Sequence, residues 1–151
     1  MRQMTRREAL TVAIGAGTAA IVLYGSDARA TPDEAKEAIA KFTGGKTAEA
    51  GKITIDLPEI AENGNTVPLS VVVDSPMEAN DYVSDIFVVG EGNPRPGVIH
   101  AKLTPASGKA KVSTRIRLAS TQNIICIAKT STGKLYTNQK LVKVTIGGCG
   151  G

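Results

Sequence analysis

Past residue 50 the apolar side chains of this chain alternate with polar ones instead of recurring at helical spacing, and Gly, Asn, Pro or Ser break the alternation every ten to fifteen residues. An extended strand sends successive side chains to opposite faces, so the pattern describes short strands with one face in a core and one in water. It predicts strands over 52–57, 66–74, 83–90, 98–103, 111–118, 123–129 and 134–146, with turns at Asn63-Gly64-Asn65, Gly92-Asn93-Pro94, Ser107-Gly108 and Thr132-Gly133. The expected fold is all-β, an immunoglobulin-like antiparallel β-sandwich of about seven strands. The chain has no Trp and no Cys pair placed to bridge two sheets, so Val, Ile, Leu and Ala must fill the core. Alternation in Lys111-Val112-Ser113-Thr114-Arg115-Ile116-Arg117-Leu118 turns the even positions inward and puts Lys111, Arg115 and Arg117 on one outer face. Such a stripe is a solvated face or a docking strip for an acidic partner. In the last strand Val142, Val144 and Ile146 are expected to bury alternate side chains up to the first glycine of the tail.

A helix precedes the strands. Thr31-Pro32-Asp33-Glu34 offers a hydroxyl cap, a proline in the first turn and a glutamate three residues after the cap, and Gly44-Gly45 should stop the helix. Residues 1–30 read as a targeting segment: Arg6-Arg7, then an uncharged run from Leu10 to Tyr24 that is short for a bilayer, then Ala28-Arg29-Ala30 with small residues where a signal peptidase reads. The arginine pair resembles a twin-arginine signal, although Ala9 stands where Phe is common, which leaves the general secretory route as the alternative. Either route ends outside the cytoplasm. The division expected is a signal peptide over 1–30, one sandwich domain over 31–146 and a flexible arm over 147–151. Four of the 18 basic and two of the 14 acidic residues lie in 1–30, leaving 14 against 12 in the remainder. That near balance, with few aromatics, is no phosphate-tracking surface or stacking platform, so nucleic acid is not an expected partner, and neither is a membrane.

Catalytic constellations are missing. His100, the only histidine, lies inside the predicted strand Val98-Ile99-His100-Ala101-Lys102-Leu103 and is expected to be structural or exposed. One His and two distant Cys do not make a tetrahedral metal site, and the chain has no Cys-x-x-Cys-His for haem and no phosphate loop. No cofactor, metal or catalytic residue is therefore expected. Two thiols remain. Cys126 sits in Asn123-Ile124-Ile125-Cys126-Ile127-Ala128-Lys129, which reads as a strand covered on both faces, where a thiol behaves as a small hydrophobe. Pairing it with Cys149 would require the tail to fold back until the two Cα atoms lie within about 7 Å, so position argues against that disulfide. An inter-chain Cys149 bond remains as a product of air oxidation.

The tail Gly147-Gly148-Cys149-Gly150-Gly151 has its own physical logic. Glycine has no side chain and takes either sign of φ, so the four glycines form a thin strip around one functional group. Three residues at about 3.3–3.6 Å each carry the Cys149 backbone roughly 10 Å beyond Ile146, a length suited to entering a narrow channel. Ordering the strip costs roughly 1–2 kcal/mol per residue, so binding through the tail alone is weak and easily reversed. A thiol with no imposed charge has a pKa near 8.5, only a few per cent thiolate at pH 7, and a terminal carboxylate would push it slightly up. Cys149 is thus better suited to carry a substrate than to catalyse.

With these features the chain resembles the SoxY family, the sulfur-carrier subunits of the bacterial sulfur-oxidising (Sox) system. The resemblance spans nearly the whole mature chain and rests on Pro58-Glu59-Ile60-Ala61-Glu62-Asn63-Gly64-Asn65-Thr66-Val67-Pro68, on Asn93-Pro94-Arg95-Pro96, on Val112–Leu118 and above all on the ending Gly-Gly-Cys-Gly-Gly. It implies a periplasmic heterodimer with SoxZ, a second immunoglobulin-like subunit exported as a passenger. It also implies that Cys149 is joined oxidatively to the sulfane sulfur of thiosulfate by a haem enzyme, giving a cysteine S-thiosulfonate. A hydrolase then releases sulfate, and a sulfane dehydrogenase or another sulfur acceptor deals with the remaining sulfur. Cys126 departs from the family, whose members often carry a small apolar residue there.

Two other classes compete. Ubiquitin-like sulfur carriers also end in Gly-Gly but hold sulfur on an adenylated carboxylate, which needs ATP and would place the adduct on Gly151. A structural or interaction module would use Cys149 only for an intermolecular disulfide, leaving a reducible dimer with no other modification. A prenyl anchor is disfavoured because Cys149 stands third from the end rather than fourth.

Overall fold

The computed structural model describes residues 32–147. Its helix, α1 (Pro32–Thr43), forms where Ala35, Ala38, Ile39 and Phe42 recur at helical spacing and turn one stripe toward the body, with Ala35 buried. Asp33 and Glu34 in the first turn and Lys41 in the last suit the helix dipole. Gly44 and Gly45 end the helix at φ of 64° and 77°, left-handed values that a side chain disfavours. The expected cap at Thr31 and the signal-like segment 1–30 lie outside the described residues.

All seven expected strands are present, joined by two short ones that the alternation did not mark. The order is β1 (Glu49–Ala50), β2 (Ile53–Asp56), β3 (Ile60–Asn63), β4 (Val67–Val73), β5 (Val83–Gly90), β6 (Gly97–Lys102), β7 (Lys111–Ile116), β8 (Gln122–Thr130) and β9 (Leu135–Ile146). One sheet runs β1-β9-β8-β5-β6 with β3 also on β9, and β2-β4-β7 forms the other. The sandwich is antiparallel apart from β1 and β3, which both pair parallel with β9, Glu49 opposite Tyr136 and Ile60 opposite Lys143. Residues 49–63 thus run along one edge of the sandwich, leaving the first sheet for the second at β2 and returning at β3. The first crossing is made at Gly51 and Lys52, with φ of 120° and 58°. Between its two parallel stretches β9 reaches the crossing segment with side chains: Asn138 Nδ2 donates to the Ile53 carbonyl and Lys140 Nζ to the Leu57 carbonyl, each at 2.7 Å.

The core lies between the sheets. Ile53, Leu69 and Val71 from one side meet Ile86, Ile124 and Cys126 from the other, in one buried cluster. Fully burying such an aliphatic side chain contributes about 1.5–3 kcal/mol. Strand β8 is covered on both faces, since Ile124, Cys126 and Ala128 are 0 % exposed and Ile127, on the opposite face, only 1 %. Helix α1 packs on the outer side of β5, where Phe42 stacks on Phe87 at 4.9 Å between ring centres.

Two expectations about facing are corrected. Val142 is 0 % exposed as expected and Val144 is half-buried, but Ile146 is 68 % exposed. By Ile146 the neighbours of β9 are Asn63 and Gly64, a polar turn in place of an apolar strand. On β7, Ile116 is buried but Thr114 is exposed, because β7 is the outer strand of its sheet and borders an open groove. Lys111, Arg115 and Arg117 are all exposed.

Candidate functional site

The described chain stops at Gly147, the point from which the glycine tail departs, so the site that can be built is the root of that tail. Its last residues are tied down by hydrogen bonds where apolar burial runs out. The Val144 amide donates to Thr121 Oγ1 at 2.9 Å, and the Gly64 amide donates to the Ile146 carbonyl at 2.8 Å. The Thr145 hydroxyl donates to the Glu62 carbonyl at 2.9 Å. Gly64 in turn accepts from the Leu118 amide at 2.8 Å, so the turn joining β7 to β8 reaches β9 both directly and through Gly64.

Gly147 has a steric reason to be glycine. A Cβ there would overlap the backbone carbonyl of Ala119, in that same β7–β8 turn. A side chain at 147 would therefore have to displace that turn or the end of β9. Gly148, Cys149, Gly150 and Gly151 lie outside the described residues.

The other thiol is accounted for. Cys126 is 0 % exposed, and burial pushes its pKa up to about 12. At neutral pH it is a thiol and no nucleophile. His100 is half-exposed on β6, beside its cross-strand neighbour Phe87 on β5. Its Nε2 lies 2.9 Å from Asp85 Oδ1, and its ring meets Phe42 and Phe87 edge-on at 5.5 and 5.8 Å. Burial raises the pKa of Asp85, but hydrogen bonds from His100 and Ser84 and the charges of His100 and Lys102 outweigh it, so the carboxyl sits below its ordinary value. The ring is held as a strut between helix and sheet. Among the described residues no three His, Cys, Asp or Glu side chains gather where a metal ion could be held.

Two surface grooves lie elsewhere. One of about 670 Å³ runs over Asp56, Pro58, Ser70, Ser113 and Arg115, and one of about 610 Å³ lies beside Phe42 and His100. Neither takes a lining residue from the tail root.

Residues 39–149 match the family model "Sulfur oxidation protein SoxY", a match that reaches the tail cysteine. The chain belongs to the SoxY family. The structure of the sulfur carrier protein SoxY from Chlorobium limicola f thiosulfatophilum is 33 % identical, covers 77 % of this chain and 100 % of its own, and superposes with a TM-score of 0.61. Superoxide reductases share the fold at lower identity. The superoxide reductase (neelaredoxin) from Ignicoccus hospitalis is 22 % identical over 80 % of this chain and 98 % of its own, with a TM-score of 0.54. The enzyme from Nanoarchaeum equitans is 10 % identical over 64 % and 100 %, with a TM-score of 0.52. No curated protein matches the sequence. Membership of SoxY supports a sulfur-carrier role within the Sox system, alongside SoxZ and other Sox proteins.

In this SoxY-family chain the sequence exposed Cys149 and its glycines but not what holds their root. Gly64 and the Ala119 carbonyl act through their backbone, and Thr121 through a hydroxyl that accepts from a strand amide 23 residues away. Their only trace in the sequence is the turn composition of Asn63-Gly64-Asn65 and of Ala119-Ser120-Thr121.

Proposed function

We propose that this protein carries thiosulfate-derived sulfur as a covalent adduct on Cys149 and presents it, in the periplasm, to the enzymes of thiosulfate oxidation, without catalysing any step itself. The observation that carries the reading is the SoxY match running through Cys149 while the second thiol is sealed in the core. An unactivated thiol is a poor nucleophile at neutral pH, so a partner must activate it.

Loading joins the thiol of Cys149 to the sulfane sulfur of thiosulfate. One S–S bond forms, the thiol proton leaves, and two electrons pass to the haem enzyme that catalyses the step. The product is the S-thiosulfonate. Hydrolysis by water then cleaves the bond between the sulfane sulfur and the sulfonate, releasing sulfate and a proton and leaving a persulfide on Cys149. A sulfane dehydrogenase or another acceptor removes that last sulfur. The working form is a heterodimer with SoxZ, exported by the twin-arginine route already folded. Gly148, Gly150 and Gly151 leave the sulfur free of neighbouring side chains, so differently shaped active sites can admit the same tip.

The test is intact mass of the periplasmic protein before and after a reductant, localised to the tryptic peptide Val144–Gly151, with Cys149→Ser alongside. The expected result is a reductant-labile sulfur adduct on Cys149, absent from a Cys149→Ser protein that still folds and binds SoxZ. Thiosulfate-dependent turnover retained by Cys149→Ser would refute the reading. A reducible dimer with no other modification would replace it with that of a disulfide-linked module.

A further inference from the structure

We propose that Asn93 is a positioning residue for the carrier arm: with Gln122 it holds the β7–β8 turn in the conformation that fixes where the arm leaves the body. The proposal rests on the carrier reading above, but its geometry stands by itself. Asn93 and Gln122 are 9 % and 5 % exposed, among few buried polar side chains in the described chain. Asn93 Nδ2 donates to the Arg117 carbonyl at 2.9 Å, and Asn93 Oδ1 accepts from the Ala119 amide and from Gln122 Nε2, both at 3.0 Å. Gln122 Nε2 also donates to the Ser120 carbonyl at 3.1 Å, while its Oε1 accepts from the Gly92 amide at 2.9 Å. Every one of these bonds joins the segment after β5 to the β7–β8 turn or to Gln122 at the head of β8, or ties Gln122 to that turn.

The backbone around the pair is shaped to admit it. A Cβ on Gly90 would fall 2.7 Å from Gln122 Oε1, and one on Gly92 would fall 2.9 Å from Ser120 Oγ. The turn so fixed is the element that contacts the arm root three times: the Thr121 hydroxyl on the Val144 amide, the Leu118 amide through Gly64 to Ile146, and the Ala119 carbonyl against Gly147. Ala119 is the shared link, since its amide is held by Asn93 while its carbonyl bounds the space open to Gly147. A buried side-chain amide that satisfies three partners admits few alternative arrangements. The point and direction in which the chain enters the arm are therefore set at Gly147. A partner that grips the body meets the thiol within a narrowed volume, and part of the ordering cost of the tether is removed before binding.

The full-length Asn93→Ala protein, in complex with SoxZ, tests this by amide exchange and by the kinetics of Cys149 modification. Exchange at Val144 and Gly64 should rise about ten-fold, the scale set by losing a buried side-chain hydrogen bond, while β4 amides, protected by the core, change far less. Loading by the thiosulfate-conjugating enzyme should lose about ten-fold or more in kcat/KM, because the thiol is misplaced relative to the docked body. Reaction of Cys149 with a small disulfide reagent, which needs no docking, should be unchanged. Should Asn93→Ala fail to fold, Asn93→Asp, which keeps the acceptor and loses the donor to Arg117, is read by the same criteria. Unchanged exchange at Val144 and Gly64, a rise only in step with β4, or normal enzymatic loading would overturn the proposal. If the wild type itself is never loaded, the carrier reading fails, and the exchange data still decide the role of Asn93.

Discussion

Replacing Cys126 by serine should cost more stability than replacing it by alanine, although serine is the closer match in shape. The thiol is 0 % exposed in an aliphatic cluster with Ile124 and Ala128. Alanine removes the sulfur and its contacts, a loss of about 1 kcal/mol on the scale of one buried methylene plus a small cavity. Serine adds the burial of a hydroxyl with no apolar compensation, about 1–3 kcal/mol when the group finds no partner. A domain of this size loses about 4 °C in Tm per kcal/mol, so the expected drops are about 4 °C for Cys126→Ala and about 8–16 °C for Cys126→Ser, read by calorimetry. A pH series supplies a second check. The folded-state pKa of about 12 lies above the ordinary thiol value, so the neutral thiol's contribution is complete below about pH 8.5 and is lost as pH rises toward 12. Wild type should therefore lose stability relative to Cys126→Ala by about 1.4 kcal/mol per pH unit above that point. Equal stability of the serine and alanine variants, or parallel pH curves for wild type and Cys126→Ala, would refute the picture of a sealed apolar site.

The remaining tests bear on the tail and the helix. Gly147→Ala sets a Cβ on the Ala119 carbonyl, which is backbone and cannot swing away. The end of β9 should lift and release the Gly64–Ile146 bond at a cost of about 1 kcal/mol, and Gly64 amide exchange unaltered by the substitution would contradict the contact. Gly148→Trp should slow every processing enzyme by blocking channel entry while leaving Tm unchanged, an expectation that equal turnover numbers would remove. Asp85 is held below its ordinary pKa, so its ionised form stabilises the fold above about pH 3.9 and that contribution is lost as pH falls through and below this value. Asp85→Asn should accordingly show a shallower loss of stability on acidification from pH 5 to 3 by denaturant titration, and parallel curves would exclude the pairing with His100.

Much of the fold was legible because burial on one face writes a period of two into the sequence. Strands β2 and β4 carry it, β8 shows instead as the unbroken apolar run of a strand covered on both faces, and the helix stripe of Ala35, Ala38, Ile39 and Phe42 carries its own period. Strands β1 and β3 carry almost none. Glu49 and Ala50 are both exposed, and in Ile60–Asn63 only Ala61 is buried. Both are strands because β9 offers them a free edge, and that is a tertiary cause. The same edge explains Ile146, whose alternation continues after the strand beside β9 has given way to the Asn63-Gly64 turn. Cys126 was readable from its apolar run. Asn93 was not, because an Asn between Gly92 and Pro94 spells a turn, and its buried amide acts on residues more than twenty positions away.

Strand β9, from which the tail emerges, is bonded along both edges, to β8 on one side and to β1 and β3 on the other. In the proposed carrier cycle, an enzyme drawing the tail into its channel would exert tension along the axis of that strand. Tension in this direction loads the flanking ladders in shear, where many bonds share the force, rather than peeling them one at a time. The protein can thus be tugged repeatedly at its tip while the sandwich behind it stays shut.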